Sequence, residues 1–372
     1  MKVLITGANG FVAKNLAAHL VSRPDVEVFL YSRENNEFSL KEMIAGVDFV
    51  FHLAGVNRPK NLAEFKVGNT DLTLEVCNGI EATGRNIPVL YTSSSQAELN
   101  NDYGKSKLAA EQALIDFSAK NGIPIHIFRL PNVFGKWAQP NYNSVVATFC
   151  HNIVHELPII VNDSEALLTL VYIDDVISSF VAVMDGTISG KTFVDVEPTY
   201  TITVGEIAKQ LVAFKNSRES LVTEPVGTGF IRALYSTYLS YLPPQNFTYE
   251  VPKYGDVRGV FVEMLKTKDS GQFSYFTAHP GITRGGHYHH SKTEKFLVIK
   301  GNACFRFRHI ISGEFYELFT TGEKPEIVET VPGWTHDITN TGHDEMIVML
   351  WANEIFDREK PDTFTMLVGT EA

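Results

Sequence analysis

The chain reads as an α/β unit of Rossmann type followed by an all-β unit, a small barrel or jelly roll, with the boundary near residue 245. Three observations predict this. Residues 2–6 form a short apolar run that enters a glycine turn, Gly7-Ala8-Asn9-Gly10, and then an amphipathic helix to about residue 23. Strand, glycine turn and helix in that order make a dinucleotide phosphate site, because backbone N–H groups and the helix N-terminus face the pyrophosphate. Further short apolar runs at 26–31, 48–53, 89–92 and 125–130 supply the other strands of a buried sheet. Beyond residue 245 the pattern changes to short β runs at 273–277, 295–299, 303–308, 326–331 and 346–351, set between Gly and Pro turns.

Composition bounds the function. A length of 372 residues allows two or three domains with ample core. Hydrophobic content of 44% and a mean hydropathy of −0.04 describe an ordinary globular chain. The net charge is −11 with no basic patch or charged tail, so nucleic acid is not an expected partner. Cys77, Cys150 and Cys304 are too widely spaced for a CxxC site or a disulfide framework and are expected as reduced core thiols. The start MKVLITG lacks the charged and long apolar regions of a signal peptide, and no apolar run approaches the ~20 residues of a membrane helix. A cytoplasmic enzyme without a membrane partner is expected.

In chain order, TGANGFVA at 6–13 resembles the TGxxGFxG of extended short-chain dehydrogenases, with Ala13 in place of the last glycine. Alanine is small enough for the helix–strand packing required there. The resemblance places Gly7, Asn9, Gly10, Phe11 and Val12 at the cofactor. The second strand ends in Ser32-Arg33, where an NAD enzyme usually carries an acid for the ribose 2′-hydroxyl. An arginine suits a 2′-phosphate, which favours NADPH; a solvated arginine is the alternative. The segment 52-HLAGVNRP-59 resembles the family's HLAA segment and adds Leu53, Ala54 and Gly55 to the cofactor set. Asn69 resembles its structural asparagine.

The strand at 89–92 ends in Ser93-Ser94-Ser95, and 103-YGKSK-107 opens a helix to about residue 119. Tyr103 and Lys107, at i,i+4, lie on one helix face. The lysine ammonium is expected to lower the phenol pKa, so that Tyr103 can give a proton to a carbonyl oxygen while NADPH delivers hydride to carbon. A serine holds that oxygen: Ser95 by family spacing, with Ser94 as the alternative. The loop between Ser95 and Tyr103 is short for an extended member. In 129-RLPNVFGKW-137, Arg129, Asn132 and Gly135 match the family's RxxNxxG run at the substrate cleft, and Asn132 is expected to position cofactor or sugar. The polar runs at 141–144, which include Asn143, and at 162–163 offer contacts to a sugar or uridine. Residues 171–176 read as a structural strand-to-helix junction. Thr203-Val204-Gly205-Glu206 reads as a capping box, and the Tyr- and Pro-rich stretch 235–252 as the linker.

The densest chemistry lies in 281-GITRGGHYHHSKTEKFLVIKG-301. On a strand, His287 and His289 point one way and His290 the other. A turn and a second strand bring Glu294 back beside them, and His336 in 332-PGWTHDITN-340 can supply a fourth ligand. Imidazoles and a carboxylate suit one divalent transition metal, zinc foremost; a polar histidine surface is the alternative. The four residues resemble the paired motifs of the cupin family in spacing. A second resemblance covers the same stretch: 279-HPGITRGGHYHH-290 is similar to the segment of dTDP-4-keto-rhamnose 3,5-epimerases that carries the catalytic histidine. Asp256-Val257-Arg258-Gly259-Val260-Phe261 with Glu263 is similar to their DxRGxFxE motif. That resemblance implies His287 as base, Arg258 and Arg284 as phosphate or sugar contacts, and Lys295 as an active-site lysine. His287 is thus a metal ligand by one resemblance and a free base by the other.

Together, 1–245 and 246–372 resemble bifunctional enzymes of capsular polysaccharide synthesis. The resemblance implies a UDP-linked 4-keto-6-deoxy-N-acetylhexosamine as substrate, inversion of C3 by the cupin, and NADPH reduction of C4 by the reductase. The product is UDP-N-acetyl-6-deoxy-L-talosamine, a precursor of UDP-N-acetyl-L-fucosamine. The chemistry is consistent: a C4 ketone acidifies the C3 proton, so a base and an enolate stabiliser suffice. A homodimer is expected. One alternative is a single-activity 4-keto reductase with a structural, dimerising cupin. Another, an NADP-sensing regulator, has no use for the intact Ser95, Tyr103 and Lys107.

Overall fold

Val3, Leu4 and Ile5 are wholly buried in the first strand, β1 (Lys2–Thr6), as the apolar run predicts. This computed structural model describes residues 1–32 and 40–369. Strand β1 pairs in parallel with β2 (Glu27–Tyr31) on one side and β3 (Phe49–His52) on the other. With β4 (Val89–Ser94) and β5 (Ile125–Leu130) the sheet order is β2-β1-β3-β4-β5, all parallel. The winding reverses between β1 and β3, which opens a crevice at the carboxyl ends of those strands, the place where such sheets bind nucleotides. The core is Leu4, Val50, Val89 and Tyr91 from the strands with Val76, Ile80, Ala110 and Leu114 from covering helices. Each such apolar side chain, fully buried, contributes about 1.5–3 kcal/mol.

A small second sheet follows, made of β6 (Asn132–Phe134), β7 (Leu167–Tyr172) and β8 (Thr199–Thr203). Strand β7 passes directly into the helix Ile173–Met184, the junction expected at 171–176. The capping box forms as read: the Thr203 N–H donates to Glu206 Oε2 at 3.0 Å, and the Glu206 N–H to Thr203 Oγ1 at 3.1 Å. The stretch 235–252 is not a linker throughout. The helix Gly229–Leu239 runs into it and buries Ala233, Leu234, Thr237 and Tyr238. These positions fall at helical spacing, so its apolar residues pack rather than bridge.

By its internal contacts the chain forms two units: Met1–Leu211 with Arg232–Leu242, and Val212–Ile231 with Pro243–Ala372. The second unit carries β9 (Val222–Thr223), β10 (Lys253–Asp256), β11 (Gly259–Thr267), β12 (Gly271–Ala278), β13 (Thr283–Tyr288) and β14 (Glu294–Lys300). After these come β15 (Asn302–His309), β16 (Phe315–Thr321), β17 (Ile327–Glu329), β18 (Trp334–Asn340), β19 (Met346–Ala352) and β20 (Phe364–Thr365). One sheet runs β10-β11-β12-β19-β14-β17, with the short β9 beside β11; the other runs β16-β15-β18-β13-β20. Phe276, Phe296, Val298, Phe305, Phe307, Ile338 and Val348 fill the core of this unit. This is the all-β jelly roll, of cupin type, that the period-2 runs predict.

Candidate active site and metal centre

In the first unit the chain leaves β1 through Gly7, at φ +71°, where an added Cβ would lie 2.7 Å from Ala54 Cα. Only glycine allows the turn to rest against the segment after β3 this closely. Gly10 caps the helix Phe11–Leu20 without a side-chain hydrogen bond, so the first-turn N–H groups face outward as phosphate donors. Asn9, Gly10 and Gly55 are exposed at this crevice, while Phe11, Val12, Ser32, Leu53 and Ala54 are half-buried. Arg33, expected at the 2′-phosphate, lies outside the described residues. Asn69, within a π-helical turn (Lys66–Asp71), clips the segment after β3. It accepts from the Val56 N–H at 2.8 Å and donates to Val56 O at 3.0 Å and to Ser106 Oγ at 2.8 Å. His52 is a strut rather than a charge. It sits between Thr6 Oγ1 and Thr73 Oγ1, each at 2.9 Å, and burial lowers its pKa to about 3.

Asn101 caps the helix Asp102–Asn121 by accepting from the Gly104 N–H at 2.7 Å, which sets Tyr103 and Lys107 on the first turns. Lys107 is only 4% exposed. Its Nζ donates to Thr92 O at 2.9 Å and lies 4.8 Å from the centre of the Tyr91 ring. Burial lowers its pKa to about 8, against the attraction of Glu111. The expected depression of the Tyr103 phenol is not what the structure has. Burial pushes that pKa up, and the opposing influence is a hydrogen bond with Ser94, not the lysine, whose ammonium is engaged by the Thr92 carbonyl.

Of the two serines, Ser94, half-buried at the end of β4, is the one whose influence lowers the phenol pKa, whereas the next residue, Ser95, is exposed on a short helical turn. Ser93 points inward and is hydrogen-bonded to buried Glu111. Glu111 also holds Arg129, which pairs with Glu98 as well, so Arg129 is structural in this arrangement. Asn132 donates to Thr169 O at 3.2 Å from an exposed position, and Asn143 is exposed in the loop before the helix Val145–Val154.

In the second unit His287, His289, Glu294 and His336 converge. Each offers a ligand atom, and all four atoms lie within 4.8 Å of one another. Three strands deliver them. Glu294 opens β14, His336 lies on β18, and His287 pairs with His336 across a bulge that inserts Gly286 into β13. Gly285 and Gly286 take φ +101° and +79°, conformations that turn the ladder and aim His287 inward. His289, one residue past β13, is buried beside them.

The donor set fits one cation. The His289 Nδ1 faces the Asp362 carbonyl oxygen at 2.5 Å. A carbonyl only accepts, so Nδ1 carries the proton, and Nε2 faces Glu294 Oε2 at 3.2 Å. His336 Nε2 points at the same oxygen from 3.5 Å, and His336 Nδ1 is buried with no hydrogen-bond partner among the described residues. Ring nitrogens and a carboxylate converging on one point are the donor set of a cation. An ion with bonds of ~2.1 Å spans the group after small side-chain rotations. Burial and the neighbouring His336 lower the His287 pKa to about 4, which keeps its imidazole neutral at pH 7. Burial would raise the Glu294 pKa, but its hydrogen bonds with His289 and His336 and the Lys292 charge outweigh this and hold it well below the usual carboxylate range.

A cavity of about 260 Å³ opens onto this cluster. Arg258 and Arg284 line it together with His287, Glu294, His336 and Asp337. Arg284 donates to Thr277 O at 3.0 Å, and Arg258 is held by Asp256 at its mouth. The structure does not bring Lys295 here. Alternation on β14 turns Glu294 inward and Lys295 to the opposite face, where it pairs with Glu329 beside an apolar groove of Phe273, Leu297, Ile327, Met349 and Trp351. The lysine at the cluster is Lys292, 7% exposed, with Nζ 2.9 Å from Glu294 Oε1. It lies within the stretch 281–301, where a lone lysine in a polar turn carries no signal by itself.

Comparison with known proteins agrees with this architecture. Residues 3–194 match the NAD dependent epimerase/dehydratase family, and 254–364 the polysaccharide biosynthesis C-terminal domain. A curated Pseudomonas aeruginosa protein, "UDP-2-acetamido-2,6-beta-L-arabino-hexul-4-ose reductase", is 63% identical over 100% of both chains. The crystal structure of the capsular polysaccharide assembling protein CapF from Staphylococcus aureus is 42% identical, with a TM-score of 0.92, covering 99% of this chain and 100% of that one. The UDP-glucuronic acid 4-epimerase of Bacillus cereus in complex with NAD shares the fold of the first unit. Its TM-score is 0.54 at 16% identity, over 65% of this chain and 96% of that one. Strand order, glycine turn, second-unit jelly roll and these matches together establish that the chain belongs to the NAD dependent epimerase/dehydratase family, as a two-unit member built like CapF.

Proposed function

We propose that the chain is a bifunctional nucleotide-sugar enzyme. The first unit reduces the C4 ketone of a UDP-linked 4-keto-6-deoxy-N-acetylhexosamine with NADPH, after the second has inverted C3. The product is UDP-N-acetyl-6-deoxy-L-talosamine. One observation carries the reading: a Ser94–Tyr103–Lys107 group at a nucleotide crevice and an arginine-lined His/Glu pocket occur in the same chain. The name of the Pseudomonas aeruginosa relative, a UDP-sugar reductase, supports the reductase half and the sugar class, and the capsular polysaccharide role of CapF supports polysaccharide synthesis.

At the reductase site NADPH, when bound, supplies the hydride. Tyr103 donates a proton to the C4 oxygen, and Ser94 donates a hydrogen bond to the same oxygen, so negative charge does not accumulate there. Lys107 would supply a buried positive charge on the helix that carries Tyr103. The N–H groups after Gly10, with Arg33, bind the phosphates. Asn132 and Asn143 are assigned to cofactor and sugar contacts.

At the cupin site the divalent ion, zinc by its donor set, supplies Lewis acidity when bound. His287, His289, Glu294 and His336 hold it, and Arg258 and Arg284 neutralise the substrate diphosphate. A His287 nitrogen given to the ion is not free to take the C3 proton, and its convergence with three other donors favours the ligand role.

A second reading is favoured by the same convergence. Four protein donors around one point make a closed, structural site, and the apolar groove beside Lys295 offers a surface for a homodimer. In that reading the chain is a 4-keto reductase only. NMR of the UDP-4-keto-6-deoxy sugar in D₂O separates the two. The bifunctional reading expects Tyr103→Phe to abolish NADPH oxidation while C3 still takes up deuterium. No deuterium at C3 in either wild type or variant leaves the single-activity reductase.

A further inference from the structure

The last described segment of the chain touches two of the four donors, His287 and His289, although none of its residues is one. Strand β20 lies beside β13 with His287 opposite Thr365, and the Met366 N–H donates to Gly286 O at 2.9 Å, so this segment backs the bulge that aims His287. Asp362 is its anchor. Its main-chain carbonyl accepts from His289 Nδ1 at 2.5 Å. Its carboxylate accepts from the N–H groups of His290, Ser291 and Lys292 at 2.9, 2.7 and 2.8 Å, and from Ser291 Oγ at 2.9 Å. Burial would raise the carboxyl pKa, but these donors outweigh it and hold it far below the usual range.

Those contacts reach a second donor through Lys292. With its backbone tied to Asp362, Lys292 places Nζ on Glu294 Oε1, which leaves Oε2 alone facing His289 and His336. Asp362 therefore fixes the turn between two ligands and, through Lys292, the free oxygen of Glu294 by its carboxylate, and the tautomer of His289 by its main-chain carbonyl.

We propose that Asp362 is a positioning residue for the His287–His289–Glu294–His336 centre: it holds His289 in the Nδ1–H tautomer and, through Lys292, keeps one oxygen of Glu294 free for the ion. This rests on the metal-binding reading above. Partners of this kind that orient metal ligands are worth about 10–100-fold in metal affinity.

The test is zinc competition against a chromophoric chelator, on the full chain, for wild type, Asp362→Ala, Asp362→Asn, Lys292→Met and Asp357→Ala. Asp362→Ala is expected to bind zinc about 10–100-fold more weakly. Asp362→Asn, which keeps an acceptor oxygen, recovers part of that loss. Asp357→Ala serves as the control in the same segment: Asp357 accepts only from the Glu359 N–H among the contacts described here, so wild-type affinity is expected. In metal-free protein, ring ¹⁵N shifts should give His289 as the Nδ1–H tautomer in wild type; Asp362→Ala keeps the main-chain carbonyl but loses the side-chain anchor that seats it, so a tautomer mixture is expected there. If Asp362→Ala does not fold, Lys292→Met carries the test, because it leaves the Asp362 contacts in place and removes only the ammonium on Glu294. Wild-type affinity in the folded variants overturns the positioning role and leaves the metal site standing. A wild-type chain that takes up no zinc overturns both.

Discussion

At the residue scale the reductase chemistry turns on three side chains whose order along the sequence conceals their geometry. The serine run is legible; which member serves Tyr103 depends on the twist of β4 at its last residue, and the influence on the phenol favours Ser94. Ser94→Ala should therefore lower kcat by about 10²–10³, as loss of an oxyanion donor does, and Ser95→Ala should leave it near wild type. Steady-state NADPH oxidation checks both, and a larger loss from Ser95→Ala would return the role to Ser95. Lys107 gives a pH signature. Its folded pKa of about 8 is below the ordinary 10.5, so the ammonium is present below pH 8 and lost above it. Activity should fall through an alkaline limb near pH 8, and Lys107→Met should have no such limb in its residual rate. Stability has the opposite sign. The unfolded chain binds more protons between about 8 and 10.5, so this residue's contribution to stability rises with pH across that window. Cofactor choice belongs here too. Wild type should use NADPH in preference to NADH, and Arg33→Asp should erase or reverse that preference in kcat/KM. Equal use by wild type removes Arg33 as the phosphate ligand.

At the scale of elements the decisive feature is the bulge in β13. Ideal alternation already sets His287 and His289 on one face, but it does not bring His287 opposite His336. The extra residue does. Gly285 makes this possible, since a Cβ there would sit 2.8 Å from His336 O and 2.9 Å from Asp337 Cα, at φ +101°. Gly285→Ala should cost about 1–3 kcal/mol in backbone strain and reduce metal content. Thermal unfolding of the full chain and elemental analysis measure the two effects, and full occupancy with an unchanged melting temperature would show that the bulge is not what aims His287. In the first unit the equivalent feature is Gly7, which the motif made legible because close approach to the next strand is what a glycine at that turn is for. The bulge was not legible, because Gly-Gly in a strand reads equally well as a turn.

At the scale of the whole molecule the chain divides into a parallel-sheet unit and a jelly roll, and the donors of the second unit come from strands far apart in sequence. Protein purified without chelator should carry about one divalent ion per chain, and the ion should cross-link the jelly roll. Chelation is then expected to lower the melting temperature of the second unit more than that of the first, by calorimetry with NADPH present to mark the first. Coincident shifts of both transitions, or none, would count against a metal confined to the jelly roll. Light scattering tests the homodimer, which Met349→Lys in the exposed apolar groove should weaken.

Much of this was determined by the sequence alone, for physical reasons. Period-2 and glycine-turn patterns are local, so the Rossmann-type first half, the all-β second half and the Thr203–Glu206 capping box could be read from neighbours in the chain. What local pattern does not contain is which face a residue presents after a strand twists, bulges or ends. Tertiary structure decided that Ser95 is exposed while Ser94 is half-buried at the end of its strand, that Lys107 binds the Thr92 carbonyl while burial raises the phenol pKa, and that 235–239 completes a helix. It also turned Lys295 away from the pocket its neighbour Glu294 enters, and brought in Lys292 and Asp362, whose roles exist only because a segment near residue 362 returns to a turn at 290. Such contacts join residues about 70 positions apart through single hydrogen bonds, and no periodicity in the sequence records them.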